Sequence, residues 1–325
     1  MPNSTDQFDR RKSASNTLED GISVVIPVYG SATILPKLIE RLVIVLKKVA
    51  RPFEVILVND GSPDDSWNVI QQLAKDFQGV RGICMMRNYG QHNAVLAGVR
   101  HCRFNLCLTM DDDLQHPPEE IPKLLGKLTE EFDVVYGPPI TEQHGLFRDL
   151  SSLITKKVLQ GAMGAETAKM ACSCRLFRTH LRTAFENFRG PLVSLDVLLT
   201  WSTTRFTAIR LRHELRAEGK SNYTVGKLIQ HAFNMMTGFS VVPLQVSSII
   251  GFFFTLFGVL VLLYVLVGWM IHGSVVSGFS FLASIIAIFS GAQLFALGII
   301  GEYLARMHFR VMDKPTYALR DVVGE

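Results

Sequence analysis

The sequence predicts an α/β domain with a mostly parallel sheet, followed by a two-helix transmembrane hairpin. Three observations carry that prediction. Over residues 22–136, short β-rich runs alternate with stretches of helical apolar spacing, the pattern of a sheet covered on both faces. Acidic turns close the second and fourth of those runs. Between Lys227 and Glu302 there is no Asp, Glu, Lys or Arg, only His231 and His272, and no soluble core needs so long an uncharged run.

Residues 1–20 are polar, carry both signs of charge and lack the apolar core of a signal peptide, so a disordered leader is expected there. The cytosolic α/β domain is expected over residues 21–222. Residues 22–29 (ISVVIPVY) read as a buried strand ending at Gly30, and residues 35–49 carry helical spacing. Residues 53–58 form a second strand, closed by the strong turn chemistry of Asn59-Asp60-Gly61-Ser62-Pro63. Asp64 or Asp65 can cap the helix that follows, to about Phe77. A third strand near residues 82–86 leads through a polar loop, 87–90, into a helix reaching about His101. Residues 104–110 are a fourth strand running directly into Asp111-Asp112-Asp113, and Pro117-Pro118-Glu119-Glu120 suits a helical first turn. Residues 132–136 give a fifth strand. Beyond Gly137 the pattern weakens to helices over 146–159, 181–188 and 192–201 and strands near 171–177 and 206–212.

Residues 223–242 mix apolar and polar side chains and are expected to lie in the membrane interface as an amphipathic segment. Within residues 243–304, two apolar segments at 246–271 and 279–300 each reach the roughly 20 residues that a span needs. Arg216, Lys220 and Lys227 precede the pair; Arg306, Arg310, Lys314 and Arg320 follow it. The positive-inside rule then puts both termini and the 305–325 tail in the cytoplasm, as in a multi-pass protein of the inner (plasma) membrane. A single re-entrant element is the rival, and two full-length segments count against it.

A net charge of +4 is modest and does not point to nucleic acid. The cysteines (Cys84, Cys102, Cys107, Cys172, Cys174) are odd in number, lack a CxxC pair and sit in apolar contexts, which suits a reduced compartment. Cys172 and Cys174 could serve as a ligand pair, but without His or Cys partners nearby they read better as small core residues.

In open parallel sheets ligands bind beyond the carboxyl ends of the strands, where the Asp60 and Asp111–Asp113 loops fall. Asp111 and Asp113, two apart, can converge on one hard cation, Mg²⁺ or Mn²⁺, which takes oxygen ligands and bridges phosphates; Gln115 offers a neutral oxygen from the same face. The alternative is a solvated acidic turn, and the strand before it together with the Asp60 turn weigh toward the cation. Asn59-Asp60-Gly61-Ser62 can bond a base or ribose, or be an ordinary turn. Arg87-Asn88-Tyr89-Gly90-Gln91-His92 could turn a helix N-terminus toward phosphate or sugar, with His92 read more readily as a capping or surface residue than a catalytic one.

Pro27-Val28-Tyr29, Asn59-Asp60-Gly61-Ser62, Arg87 through His92 and Asp111 through Glu120, in this order, resemble the family-2 glycosyltransferases of GT-A fold. Within them the chain is similar to the polyprenyl-phosphate sugar transferases, including dolichyl-phosphate mannose synthases. Arg87 through His92, the hairpin and Gly301-Glu302-Tyr303-Leu304 are most similar to the bacterial undecaprenyl-phosphate 4-deoxy-4-formamido-arabinose transferases. The resemblance spans residues 22 to about 317. It implies metal-dependent, inverting transfer of a sugar from a nucleotide-sugar to a polyprenyl phosphate, for cell-envelope glycan or lipid modification. Pro27, Tyr29, Asp60, Asn88, Gly90, Asp112 and Ser221 would bind the donor, and Asp111, Asp113 and Gln115 the Mg²⁺ or Mn²⁺. Asp113 and Arg216 would be catalytic, Arg216 and Ser221 lying in a segment like the family's RxxGxSxY loop. Arg148, Lys156, Lys157 and Lys169, with Arg175, are candidates for drawing in the acceptor phosphate, although solvated helix faces account for the first four nearly as well. The resemblance leaves a homo-oligomer open.

The departures are specific. Gly30-Ser31 stands where the family carries an Asn-Glu pair, and Asn59 replaces the first Asp of a DDG turn. Lys169 stands where bacterial relatives carry an Asp considered as a base. A phosphate monoester, with a second pKa of about 6, is already anionic near neutrality and needs little help from one. Two rivals remain: a polysaccharide-extending synthase, which lacks its QxxRW motif here, and a membrane scaffold or accessory protein with a degenerate transferase domain, against which the intact Asp111–Gln115 run speaks.

Overall fold

The computed structural model describes residues 18–49, 51–140, 165–190, 193–214, 242–272, 279–312 and 314–324. Strand β1 (Glu19–Val28) is buried on both faces from Ile22 onward, which places it in the middle of a sheet. It pairs in parallel with β2 (Phe53–Asn59) on one side and β4 (Phe104–Thr109) on the other, and β2 pairs in parallel with β3 (Val80–Met85). The crossovers carry α1 (Leu35–Lys48), α2 (Ser66–Asp76) and α3 (Gln91–Arg100). On α1, Leu35, Leu38, Ile39, Leu42 and Leu46 recur at helical spacing and pack with Ile70 and Leu73 of α2 on one sheet face. On the opposite face Val95, Leu96 and Val99 of α3 pack with Phe177, Phe185 and Leu198.

The eight strands run β7-β5-β6-β4-β1-β2-β3-β8. The winding reverses beside β1, because β2 and β3 extend one way and β4 the other. Such a switch leaves a crevice above the carboxyl ends of β1 and β4. Outside this parallel centre, β6 (Arg175–Arg178) is antiparallel to both β4 and β5 (Val134–Tyr136), and β7 (Phe206–Ala208) is parallel to β5. Among the described residues, short helices α4 (Ile121–Lys127), α5 (Ala165–Met170) and α6 (Leu195–Thr200) also belong to the domain.

Several local expectations shift. Strand β1 already includes Glu19 and Asp20, so pairing begins inside the expected leader. Asp65 holds the N-cap position of α2 without bonding the helix backbone; Asp64 instead accepts the Ser66 N–H at 3.2 Å. A 3₁₀ turn, Pro118–Glu120, precedes α4, and Thr179–Phe185 is 3₁₀ rather than α-helical. Cys172 and Cys174 precede β6 rather than lying within a strand, and the Cys172 thiol donates to the Cys174 carbonyl at 3.0 Å. The segment after the hairpin is not simply a tail: β8 (Leu319–Val323) pairs antiparallel with β3 and closes that sheet edge. The expected helix over 146–159 and the interfacial stretch over 223–241 lie outside the described residues, as do Arg148, Lys156, Lys157, Arg216 and Ser221.

Helices α7 (Val242–His272) and α8 (Phe279–Val311) contain Pro243–Gly268 and Ile288–His308, each long and apolar enough to cross a membrane. Large apolar side chains point outward along both, with Phe252 65% and Phe295 63% exposed, the character of lipid-facing helices. The two touch through Phe289, whose ring meets Phe254 edge-on at 5.6 Å and stacks on Phe257 at 6.5 Å. Helix α8 outruns the expected end at residue 300, and Glu302 and Arg306, one turn apart, pair along its extension.

Candidate functional site

Parallel pairing brings the ends of β1, β2, β3 and β4 to one rim. There Asp60 is almost wholly buried, and its carboxylate accepts the backbone N–H groups of Tyr89 and Gly90 at 2.7 and 2.8 Å. Burial pushes the Asp60 carboxyl up, and the two N–H groups pull against it. The loop after β2 is thus fastened to the loop after β3. Gly61 makes the approach possible: it sits at φ +64°, and a Cβ there would lie 2.6 Å from Arg87 C and Asn88 N. Tyr29, half exposed, lies open at the end of β1, and Pro27 is buried below it.

The acidic run follows β4 directly. Asp111 accepts a hydrogen bond from the Gln91 amide at 2.7 Å. Asp112 accepts one from Ser31 at 2.6 Å; burial, with Asp111 and Asp113 alongside, nevertheless pushes its carboxyl up to about 6. Asp113 is buried and accepts the Gln115 N–H at 3.1 Å. Leu114 holds φ +60°, a conformation costing about 1–2 kcal/mol for a side chain of this kind. It persists because the Leu114 side chain is anchored in the α1-side core. Three consecutive carboxylates crowd one turn while their neighbours anchor it.

A cavity of about 250 Å³ opens beside Asp111, walled by Pro27, Gln91, His92, Met110 and Cys172 and floored by Arg175 and Asp196. Arg175 is buried; it pairs with Asp196 and donates to Thr109 Oγ1 at 3.1 Å, while the Tyr136 hydroxyl donates to Asp196 at 3.0 Å. Lys169, by contrast, is exposed on α5.

The chain leading toward residue 216 is stitched onto the acidic run. The Glu214 N–H donates to the Gln115 carbonyl at 2.9 Å, and the Arg212 N–H to Glu120 at 3.2 Å. Arg41 bridges Glu119 and Glu214. Beneath this seam His116 stands edge-on to His213, ring centroids 4.9 Å apart, and neither His116 ring nitrogen has a hydrogen-bond partner among the described residues. Burial holds the His116 ring below its usual pKa, against the pull of Asp111.

The sequence-predicted Pro27, Tyr29, Asp60, Asn88, Gly90, Asp111, Asp112, Asp113 and Gln115 therefore share one rim. Ser31, Asp196 and the His116–His213 pair were missed as members of the site. Gln91 stood within a quoted motif, but its bond to Asp111 had no local signal. The donor chemistry fits a divalent cation: hard carboxylate oxygens on alternate residues, beside a third carboxyl that burial and its neighbours already strain. Among the described residues no three His, Cys, Asp or Glu side chains converge into a closed cage.

An α/β sheet reversing beside β1, with an acidic turn at the reversal, is a GT-A-like fold. Similar architecture occurs in glucosyl-3-phosphoglycerate synthase from Mycobacterium tuberculosis, solved with Mn²⁺, uridine-diphosphate and glucosyl-3-phosphoglycerate (TM-score 0.51, 16% identity, 69% of this chain and 80% of that one). The family described as glycosyl transferase family 2 matches residues 23–185. The chain is 35% identical over 310 residues to the undecaprenyl-phosphate 4-deoxy-4-formamido-L-arabinose transferase of Shewanella sediminis, covering 94% of each. It is 34% identical to the Pseudomonas aeruginosa protein of that name, covering 94% of this chain and 91% of that one. The chain belongs to glycosyl transferase family 2 and is a glycosyltransferase.

Proposed function

We propose that the chain transfers a sugar from a nucleotide-sugar to an undecaprenyl-type polyprenyl phosphate at the cytoplasmic membrane face, with inversion. The observation that carries the reading is the presence, in one chain, of an acidic turn at the sheet reversal and two helices long and apolar enough to span a bilayer. Similarity along 94% of the chain to transferases named for an undecaprenyl-phosphate substrate supports it.

Asp111, Asp113 and Gln115 would hold Mg²⁺ or Mn²⁺, which when bound neutralises charge on the departing nucleoside diphosphate. Asp60 keeps the Arg87–Gly90 loop in place through the Tyr89 and Gly90 N–H groups, so that Tyr29, Asn88 and Gly90 can line the donor. Ser31 and Gln91 fix the Asp112 and Asp111 carboxylates. Arg216 and Ser221, continuing from the seam at Glu214, would close on the phosphates. An acceptor phosphate oxygen forms its bond to the anomeric carbon as the bond to the diphosphate oxygen breaks, and the largely dianionic phosphate needs little help from a base. Arg148, Lys169 and Arg175 remain the candidates for meeting that acceptor. Both termini are assigned to the cytoplasm.

The test incubates the purified full chain with a panel of nucleotide-sugars, undecaprenyl phosphate and Mg²⁺ or Mn²⁺, and weighs the lipid product by mass spectrometry. A glycosylated lipid phosphate is expected, with Asp113→Ala losing about 10²-fold or more in rate. Transfer only to soluble acceptors overturns the acceptor; undiminished transfer by Asp113→Ala overturns the cation site.

A further inference from the structure

We propose that a second cavity, where the sheet edge meets the hairpin, binds the phosphate headgroup of an anionic membrane lipid. The cavity measures about 370 Å³ and is lined by Arg87, Asn88, Asn93, Arg189, Lys314 and Thr316, among others. It brings together three distant stretches: the loop after β3, the turn after the Thr179–Phe185 segment, and the chain leaving α8. Among the described residues its lining includes three cationic side chains and no carboxylate. The Arg87 guanidinium lies over the Tyr89 ring at 4.6 Å, which holds its planar fork at the rim.

The walls are fastened to one another. Arg100 donates to the Phe185 and Phe188 carbonyls at 3.3 and 2.7 Å and to Thr316 Oγ1 at 3.5 Å, and its guanidinium covers the Tyr317 ring. The Met86 N–H donates to the Ala318 carbonyl at 2.9 Å. A preformed basic pocket of this kind suits a phosphate ester.

Its position selects a lipid over a soluble anion. Lys314 lies just past the end of α8, whose apolar span closes at His308. Two of the cations also have exposed apolar neighbours: Met86, 58% exposed, precedes Arg87, and Met312, 59% exposed, lies shortly before Lys314. Basic heads beside exposed apolar side chains at a helix exit match a bilayer surface, where phosphate and acyl chain are offered together. The inference rests on the membrane reading proposed above. The headgroup would touch the outer side of the loop that Asp60 holds from within, through Tyr89 and Gly90.

The experiment uses the full chain in mixed micelles of phosphatidylglycerol and phosphatidylcholine, with retained lipid identified by native mass spectrometry. Selective retention of phosphatidylglycerol is expected. The double variant Arg189→Gln, Lys314→Gln should retain it about 30-fold less, two basic groups being removed from an anionic surface. Lys37→Gln, Lys47→Gln, an equal charge loss on α1, should retain it fully, and Lys314→Arg should too. Unchanged retention by the Arg189, Lys314 pair overturns the proposal, as does loss on Lys314→Arg. Displacement of the lipid by inorganic phosphate assigns the cavity to a soluble anion and overturns the lipid. Alkaline carbonate extraction reads the membrane assignment separately: release of the chain overturns that assignment, whereas a membrane-retained chain without lipid selectivity overturns only the headgroup site.

Discussion

Replacing Gly61 with alanine attacks the rim where two loops meet, and its cost can be worked from the coordinates. At φ +64° an L-residue gives up about 1–2 kcal/mol of backbone energy. The new Cβ would also stand 2.6 Å from Arg87 C and Asn88 N, main-chain atoms that cannot rotate aside. Relief requires the 87–90 loop to move, for about 1–3 kcal/mol more. A combined loss near 3 kcal/mol lowers the melting temperature of a domain this size by about 6–12 °C. Gly30→Ala is the internal control. Gly30 has φ +70° but nothing within 4 Å of a built Cβ, so it meets the backbone cost alone. Thermal unfolding followed by the fluorescence of Trp67, which packs on the α1-side core, reads both variants. Displacing the loop also stretches the bonds from Asp60 to the Tyr89 and Gly90 N–H groups, so nucleotide-sugar affinity should fall in Gly61→Ala and hold in Gly30→Ala. Equal melting temperatures and equal donor affinities for the two variants would refute the close-approach reasoning.

Two further outcomes concern the seam and the cavity floor. The Glu120 carboxyl sits below its usual range: burial opposes ionisation, but the Lys123 ammonium and the Arg212 N–H outweigh it. A depressed carboxylate stabilises above its unfolded pKa of about 4.3 and loses that contribution as pH falls through the lower folded value. Glu120→Gln should therefore cost about 1–2 kcal/mol at neutral pH and flatten acid destabilisation, measured by denaturant melts at pH 7 and in the acid range; an unchanged acid slope counts against the seam. Asp196→Asn strands the buried Arg175 charge and should cost about 3–5 kcal/mol in the same melts, and a loss below about 1 kcal/mol would mean that the pair is not an isolated buried one.

The sheet centre was legible because β1, β2 and β4 are long apolar runs whose burial needs no knowledge of their partners. The apolar hairpin was legible for the same reason. The acidic turn could be placed at the rim because a parallel sheet sends consecutive strand ends the same way. What escaped depends on distant pairing. Strand β8 is a short edge strand containing Arg320 and Asp321, and only its register on β3, Gly82 against Val323, makes it a strand at all. Asp196 lies on a short helix with no local mark, and its role comes from meeting Arg175 across the fold. His116 could be read as part of a motif, but its contact with His213 bridges segments almost a hundred residues apart. The 3₁₀ turns at Pro118–Glu120 and Thr179–Phe185 share helical spacing with α-helices and could not be told from them by pattern.

The pairing of β8 with β3 also bears on how the molecule is made. The strand that completes the sheet is encoded after both long apolar helices, so it leaves the ribosome only when they have already been synthesised. Until then β3 is an open edge, with the unpaired main-chain groups that make such edges prone to wrong pairings. If the helices enter the bilayer as they emerge, the domain closes its sheet beside the membrane, with the correct strand delivered from an anchored helix end. The order of synthesis then sets how long the edge stays available to another chain.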